Sequence, residues 1–142
     1  MSASSRWMLD TNTVSYLIRN TYPGVRAQVA RRPQAALCIS AITRSELLYG
    51  VARHPQATRI NPVVQEFLRW VDTLDWTAAV ADRHGILRAD LERRGIGVST
   101  LDQMIAAHAL ALDLTLVSND RAFERIEGLR LENWAEMNPA RA

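Results

Sequence analysis

Apolar and polar positions along this chain change period at regular intervals, and each change marks an element. Trp7-Met8-Leu9 is an apolar run that stops at Asp10, and two small polar residues, Thr11 and Asn12, follow. Val14, Leu17 and Ile18 then recur at helical spacing. This predicts a strand at about Trp7 to Leu9 that feeds almost directly into a helix over Thr13 to Arg19. Asn20-Thr21-Tyr22-Pro23-Gly24 reads as a turn by its Pro-Gly signal. A second helix, about Val25 to Arg31, ends before Pro33. Ala35 to Ile39 is continuous and apolar, the pattern of a strand covered on both faces.

Ser40 has the chemistry of a helix cap, and the helix it opens carries Ile42, Leu47, Leu48 and Val51 with Glu46 among them. His54-Pro55-Gln56 breaks that helix. The spacing of Val64, Phe67, Leu68 and Val71 predicts another over Asn61 to Thr73, then a short strand at Leu74 to Trp76. Thr77 to Arg94 is the longest helical stretch, and Gly95 and Gly97 end it. Ser99 or Thr100 caps a helix over Leu101 to Leu112 that is apolar almost all round and so should be buried. A strand at Leu114 to Val117, a short helix near Ala122 to Ile126 and a weak strand at Leu129 to Leu131 complete the chain. Strands separated by helices give an α/β fold, an α/β/α sandwich on a mostly parallel sheet. No repeat or linker interrupts it, so one domain over 1–142 is expected, with a core of about 7–134.

Composition narrows the function. The chain has 15 acidic and 17 basic residues, and every basic one is arginine. Without lysine there is no phosphate-loop lysine and no Schiff-base amine. The single cysteine, Cys38, excludes an internal disulfide and a cysteine metal cluster, and reads as a small buried hydrophobe. No apolar run is long enough for a membrane span, and Met1 to Arg6 lacks the apolar region of a signal peptide, so a cytoplasmic location and no membrane partner are expected.

Most acidic residues fall on expected solvated helix faces, but Asp10, Glu46, Asp102 and Asp120 do not. Asp10 ends the first strand, and Asp120 follows the Leu114 to Val117 strand. Asp102 opens a nearly all-apolar helix, and Glu46 lies among Ile42, Leu47 and Leu48. In a parallel sheet all four approach the carboxyl edge, where such folds bind ligands. Asp10 and Asp120 also suit helix caps, and Asp102 suits a helix dipole. Converging carboxylates repel, and a divalent cation is the economical way to keep them ionised. Oxygen ligands without His or Cys suit Mg²⁺ or Mn²⁺. His54, His84 and His108 read as structural or surface residues. Arg93 and Arg94, beside Gly95, are candidates for phosphate contact or simply a solvated helix end.

These stretches resemble a known family. Leu9-Asp10-Thr11-Asn12-Thr13, Ser45-Glu46-Leu47-Leu48-Tyr49-Gly50, Leu101-Asp102-Gln103-Met104-Ile105-Ala106-Ala107-His108-Ala109 and Leu116-Val117-Ser118-Asn119-Asp120 are similar to the signatures of PIN-domain ribonucleases, above all the VapC-type toxins of bacterial toxin–antitoxin pairs. The resemblance implies Mg²⁺- or Mn²⁺-dependent cleavage of single-stranded or loop RNA by metal-activated water. It also implies a homodimer and silencing by a cognate antitoxin, whose segment crosses the active-site groove and whose arginine pairs with Asp10 and Asp102. It makes Asp10, Glu46, Asp102 and Asp120 the catalytic metal ligands, and Asn12 and Ser118 their polar supports. Asp10 and Asp102, on rigid elements, should bind directly, and Glu46 directly or through water. Asp120, on a mobile loop, should serve a second, weaker metal. Two positions depart from many relatives: Ser99-Thr100 replaces Gly-Pro, and Ala122 replaces an acid. The dimer is expected to bury Leu48, Tyr49, Phe67 and Trp70. The alternative is a catalytically inactive PIN-like module that binds RNA or protein; the intact set of four acids argues against it. A phospho-acceptor signalling domain is disfavoured by the missing lysine.

Overall fold

The computed structural model describes residues 6–140. The expected frayed end at 1–6 lies outside the described residues except for Arg6, whose guanidinium is tied to Asp72 at 2.7 Å. In chain order the elements are β1 (Trp7–Leu9), α1 (Thr11–Arg19), α2 (Pro23–Ala30), β2 (Leu37–Ser40), α3 (Ala41–Arg53), α4 (Ile60–Trp70), β3 (Asp72–Leu74), α5 (Ala78–Arg93), α6 (Thr100–Ala111), β4 (Thr115–Val117) and β5 (Leu131–Glu132). Single 3-10 turns at Gln34–Ala36 and Arg121–Arg125 precede β2 and β5. The sheet runs β3-β2-β1-β4-β5 and every neighbouring pair is parallel. This is the α/β/α sandwich that the alternation of strands and helices predicts.

The sheet is covered on both faces because strand side chains alternate. Met8, Cys38 and Leu116 point into one core, against Leu87 and Leu91 of α5 and Ile105, Ala106 and Ala109 of α6. Their neighbours Leu9, Leu37, Ile39 and Val117 point into the other, against Val14, Val25, Val64, Phe67 and Leu68. Cys38 is fully buried, and burial pushes its thiol up to about 11, consistent with an inert core residue.

Several boundaries differ from the sequence expectation. α4 stops at Trp70, not Thr73, because Val71 turns to extended backbone and enters the core. β3 therefore comes two residues early, at Asp72–Leu74 rather than Leu74 to Trp76. The start of the Ala35 to Ile39 run is a 3-10 turn, and the strand proper reaches Ser40, which also caps α3 through Ile42 N–H at 3.1 Å. The Ala122 to Ile126 helix is one 3-10 turn, and the last strand sits at Leu131–Glu132. Phe67, expected on a surface that a second copy covers, is buried in the chain's own core.

The strand order positions the site. The chain builds β1, β2 and β3 outward, then crosses back to place β4 on the other side of β1. The carboxyl ends of β1 and β4 thus flank the topological switch point, where doubly wound sheets open a crevice.

Candidate active site

Asp10 follows β1 and is almost fully buried, 3% exposed. Its backbone N–H donates to Val117 O at 3.0 Å, which locks it against the end of β4. Its Oδ1 accepts the Thr13 N–H at 2.8 Å and caps α1. Asp10 is therefore a helix cap and a site carboxylate at once. Burial raises its pKa above the ordinary aspartate range. Hydrogen bonds from Ser118 and Thr13 oppose the rise, and the charge of Asp102 adds to it.

Asp102 stands half-buried in the first turn of α6, its N–H donating to Ser99 Oγ at 3.3 Å. Burial raises its pKa too; the Ser99 hydrogen bond opposes this and the charge of Asp120 reinforces it. Glu46 leaves α3 half-buried, and its Oε1 accepts the Thr11 hydroxyl at 2.5 Å. Asp10, Glu46 and Asp102 line one cleft together with Thr11, Asn12, Ser99 and Leu101. Asn12 is exposed at its rim.

Asp120 lies beside Asp102 rather than in the cleft wall. It is held at two points: its N–H donates to Ser118 Oγ at 3.0 Å, and its Oδ1 accepts the Ala122 N–H at 2.9 Å, capping the 3-10 turn. The expected mobile loop is thus a fixed cap. Ser118, fully buried in the gap, accepts from Asp120 and bonds Asp10. Among the described residues, no three His, Cys, Asp or Glu side chains are gathered tightly enough to share one ion.

Sequence reasoning found Ser99 as a helix cap, which it is, but missed the Thr11 contact to Glu46. Thr11 stands at a helix start, where a hydroxyl's reach to a carboxylate on another element leaves no periodic trace. Arg93 and Arg94 are tied to Asp90 at 3.7 and 3.1 Å, and Arg94 also to Glu127 at 3.8 Å, the ion pairs of a solvated helix end. His108 is buried with Nδ1 2.8 Å from Ser40 Oγ, and His84 Nε2 lies 3.2 Å from Gln103 Oε1. Neither joins the acids.

The PIN domain family model matches residues 7–129, nearly the whole described chain and every one of the four acids. This chain belongs to the PIN-domain family. Within that family it is 40% identical to the tRNA(fMet)-specific endonuclease VapC of Shigella flexneri, over 92% of this chain and 98% of that protein. It is 36% identical to Ribonuclease VapC2 of Haemophilus influenzae, over 91% and 98% of the two chains. The crystal structure of DNA-bound VapBC from Salmonella typhimurium superposes on this PIN domain with a TM-score of 0.85 at 39% identity, covering 92% of this chain and 99% of that one. VapBC2 from Rickettsia felis, bound to a promoter DNA fragment, gives a TM-score of 0.81 at 33% identity over 90% and 98%. PIN-domain ribonucleases are in general divalent-metal dependent. The donor set of this PIN domain fits that requirement: hard carboxylate oxygens with no His or Cys in the cleft. A hard divalent ion that keeps several waters needs only one or two carboxylates, so a cleft lined by Asp10 and Asp102 fits such an ion without a third acid drawn in. No helix among the described residues is long and apolar enough to cross a membrane.

Proposed function

We propose that this chain is a metal-dependent endoribonuclease, the toxin of a toxin–antitoxin pair, which hydrolyses phosphodiester bonds in single-stranded or loop RNA. The observation that carries the reading is the pair Asp10 and Asp102. They are two carboxylates whose pKa values burial raises, lining one cleft at the switch point, with Glu46 in the same cleft. Folding leaves such a pair unsatisfied unless something positive enters between them.

Asp10 and Asp102 would hold the cation, Mg²⁺ or Mn²⁺, with Glu46 in reach through water and Asp120 alongside Asp102. A divalent ion held there supplies positive charge to the phosphodiester and to the attacking water. The chain's own residues do the rest. Thr13 and Ser118 fix the Asp10 carboxylate, and Ser118 ties it to the backbone of Asp120. Thr11 engages one oxygen of Glu46 and leaves the other free to accept a hydrogen bond from a water in the cleft. Ser99 sets the start of α6 and with it the direction of Asp102.

The relatives support the partners. VapBC complexes pair a VapC chain with an antitoxin, and an antitoxin segment across this cleft, its arginine between Asp10 and Asp102, would supply positive charge in place of the metal. Transfer RNA is the first substrate class to assay, since a relative 40% identical carries that specificity in its name. The test is incubation of the purified chain with transfer RNA, with and without EDTA. Cleavage that stops on chelation and returns with Mg²⁺ or Mn²⁺ is expected. Cleavage indifferent to EDTA overturns the mechanism, and RNA left intact by metal-loaded protein leaves the inactive-module reading in its place.

A further inference from the structure

A second cavity, of about 310 Å³, opens between α1, α3 and α4. Thr11, Asn12 and Glu46 line both it and the acid cleft, so the two are one continuous groove. Beyond Glu46 the character of the groove reverses. Its outer walls carry Arg19 from α1, Arg53 and His54 from the end of α3, and Asn61 from α4, above an apolar floor that includes Ile18 and Val64.

Seven of the described arginines are neutralised by a carboxylate, and the two in this groove are not among them. Arg6, Arg32, Arg69, Arg88, Arg93, Arg94 and Arg130 all face a carboxylate within 4.0 Å. Among the described residues neither Arg19 nor Arg53 has a salt bridge. Arg53 is nonetheless held in direction. Its Nη1 donates to the Tyr49 hydroxyl at 3.4 Å, its guanidinium carbon lies 5.2 Å from the centre of the Tyr49 ring, and its Nε donates to His54 Nε2 at 3.3 Å. These partners orient the guanidinium without neutralising it. Arg19 occupies the last turn of α1, where the helix dipole favours a cation. Glu46 and Arg53 stand seven residues apart on one helix, about 10 Å at the rise of an α-helix. The groove therefore passes from clustered carboxylates to two uncompensated guanidinium groups within the span of a short oligonucleotide.

We propose that this cavity is a nucleotide subsite, taking the residue of the RNA chain next to the cleaved phosphodiester. Arg19 and Arg53 grip its outer phosphate, a contact to which the planar guanidinium fork is matched. The apolar floor receives a face of the base, and Asn61 and His54 meet its polar edge. The inference rests on the ribonuclease reading and adds to it which residues carry affinity for the RNA strand.

The test uses Arg19→Ala, Arg53→Ala and the double variant, each in an Asp10→Asn background that does not cut. Binding of a fluorescein-labelled single-stranded RNA is read by anisotropy across a salt series. Cleavage by the same arginine variants is measured with Asp10 intact. Each single change is expected to weaken binding several-fold and lower the slope of log affinity against log salt by about 0.7, the double change by about twice that. Arg53→Lys should restore part of the slope. Melting temperatures should hold, since no ion pair is lost. Unchanged affinity and slope in the double variant, beside a parent that binds and cuts RNA, overturns the subsite alone. If the double variant instead loses only affinity for an acidic peptide such as polyglutamate, the cavity takes a protein segment and the proposal falls. A parent that neither binds nor cuts RNA with metal present overturns the ribonuclease reading and the subsite with it.

Discussion

The Thr11 hydroxyl donates to Glu46 Oε1 at 2.5 Å and lies 3.3 Å from Thr43 Oγ1, so the start of α1 is stitched to the first two turns of α3. The bond fixes the longest and most flexible of the four acids. Thr11→Val keeps the branched shape and removes the donor. Cleavage should fall about 10- to 100-fold, the usual cost of losing a group that orients a ligand. Thr11→Ser should retain most activity, and the melting temperature of both variants should stay near the parent's. Full activity in Thr11→Val would show that Glu46 needs no such support.

Asp10 and Asp102 make stability depend on pH in a stated direction. Burial raises both carboxyls above their ordinary value of 3.8. An acid whose folded pKa is raised favours the folded state most below its unfolded value, and that advantage is lost as pH rises through the folded pKa. At neutral pH the metal-free protein therefore carries a penalty from these groups. Asp10→Asn keeps the cap on Thr13, since asparagine caps as well as aspartate, and removes the charge. Its metal-free form should melt a few degrees above the parent at pH 7, with the gap closing toward pH 4. Mg²⁺ should raise the parent's melting point and not the variant's, while cleavage by the variant falls by more than the roughly 100-fold expected for a supporting group. A gap between variant and parent no larger at pH 7 than at pH 4 contradicts this electrostatic account. One that cuts RNA at the parent's rate contradicts the nuclease reading itself.

The sequence carried the site better than it carried the element ends. Strand residues such as Met8 and Leu9 alternate between two cores, so a fully apolar run was the correct sign of a sheet covered on both faces. The four acids stood out because each interrupts or closes an apolar stretch at the carboxyl edge. Helix spacing extended α4 to Thr73 because Val71 continues its apolar stripe, and only the core of the folded chain shows that Val71 is reached by extended backbone. The Ser118 bridge between Asp10 and Asp120 was legible as a supporting role but not as a geometry. The Thr11–Glu46 bond depends on a contact between elements that no local pattern records, whereas the Ser99 cap and the pairing of Arg93 and Arg94 with Asp90 are local.

A homodimer remains the expected assembly, on a smaller face than the helical stripes alone implied. Phe67 is 8% exposed and already used inside the chain, and Leu48 is half-buried. Val63 at 43% and Trp70 at 37% exposure remain on the outside of α4, with Tyr49 at 61% on α3 engaged with Arg53. Exposed apolar side chains of this size, grouped on one helix, are most often covered by two-fold pairing. Sedimentation at micromolar concentration should give twice the 16.0 kDa chain mass, and Val63→Glu with Trp70→Glu should return it to one. A parent that sediments at 16.0 kDa refutes the dimer.

Asp120 offers the sharpest separation of roles among the acids. Its Oδ1 caps the 3-10 turn through Ala122 N–H, and its N–H is held by Ser118. It does not line the cleft that Asp10, Glu46 and Asp102 share, yet its charge raises the pKa of Asp102. Asp120→Asn preserves the cap and removes that charge. Two consequences follow, with opposite signs for binding and for titration. The outer cation site weakens, so cleavage should drop about 10- to 100-fold and recover in part as Mn²⁺ is raised, while calorimetry still detects metal at Asp10 and Asp102. Meanwhile Asp102, relieved of a neighbouring negative charge, should ionise at lower pH, so the acid limb of the pH–rate profile should move down. A rigid structural acid, whose loss merely loosened the turn, would shift neither the Mn²⁺ dependence nor the acid limb. If Asp120→Asn loses metal as completely as Asp10→Asn, the two acids hold the same ion and the division between an inner and an outer site is wrong.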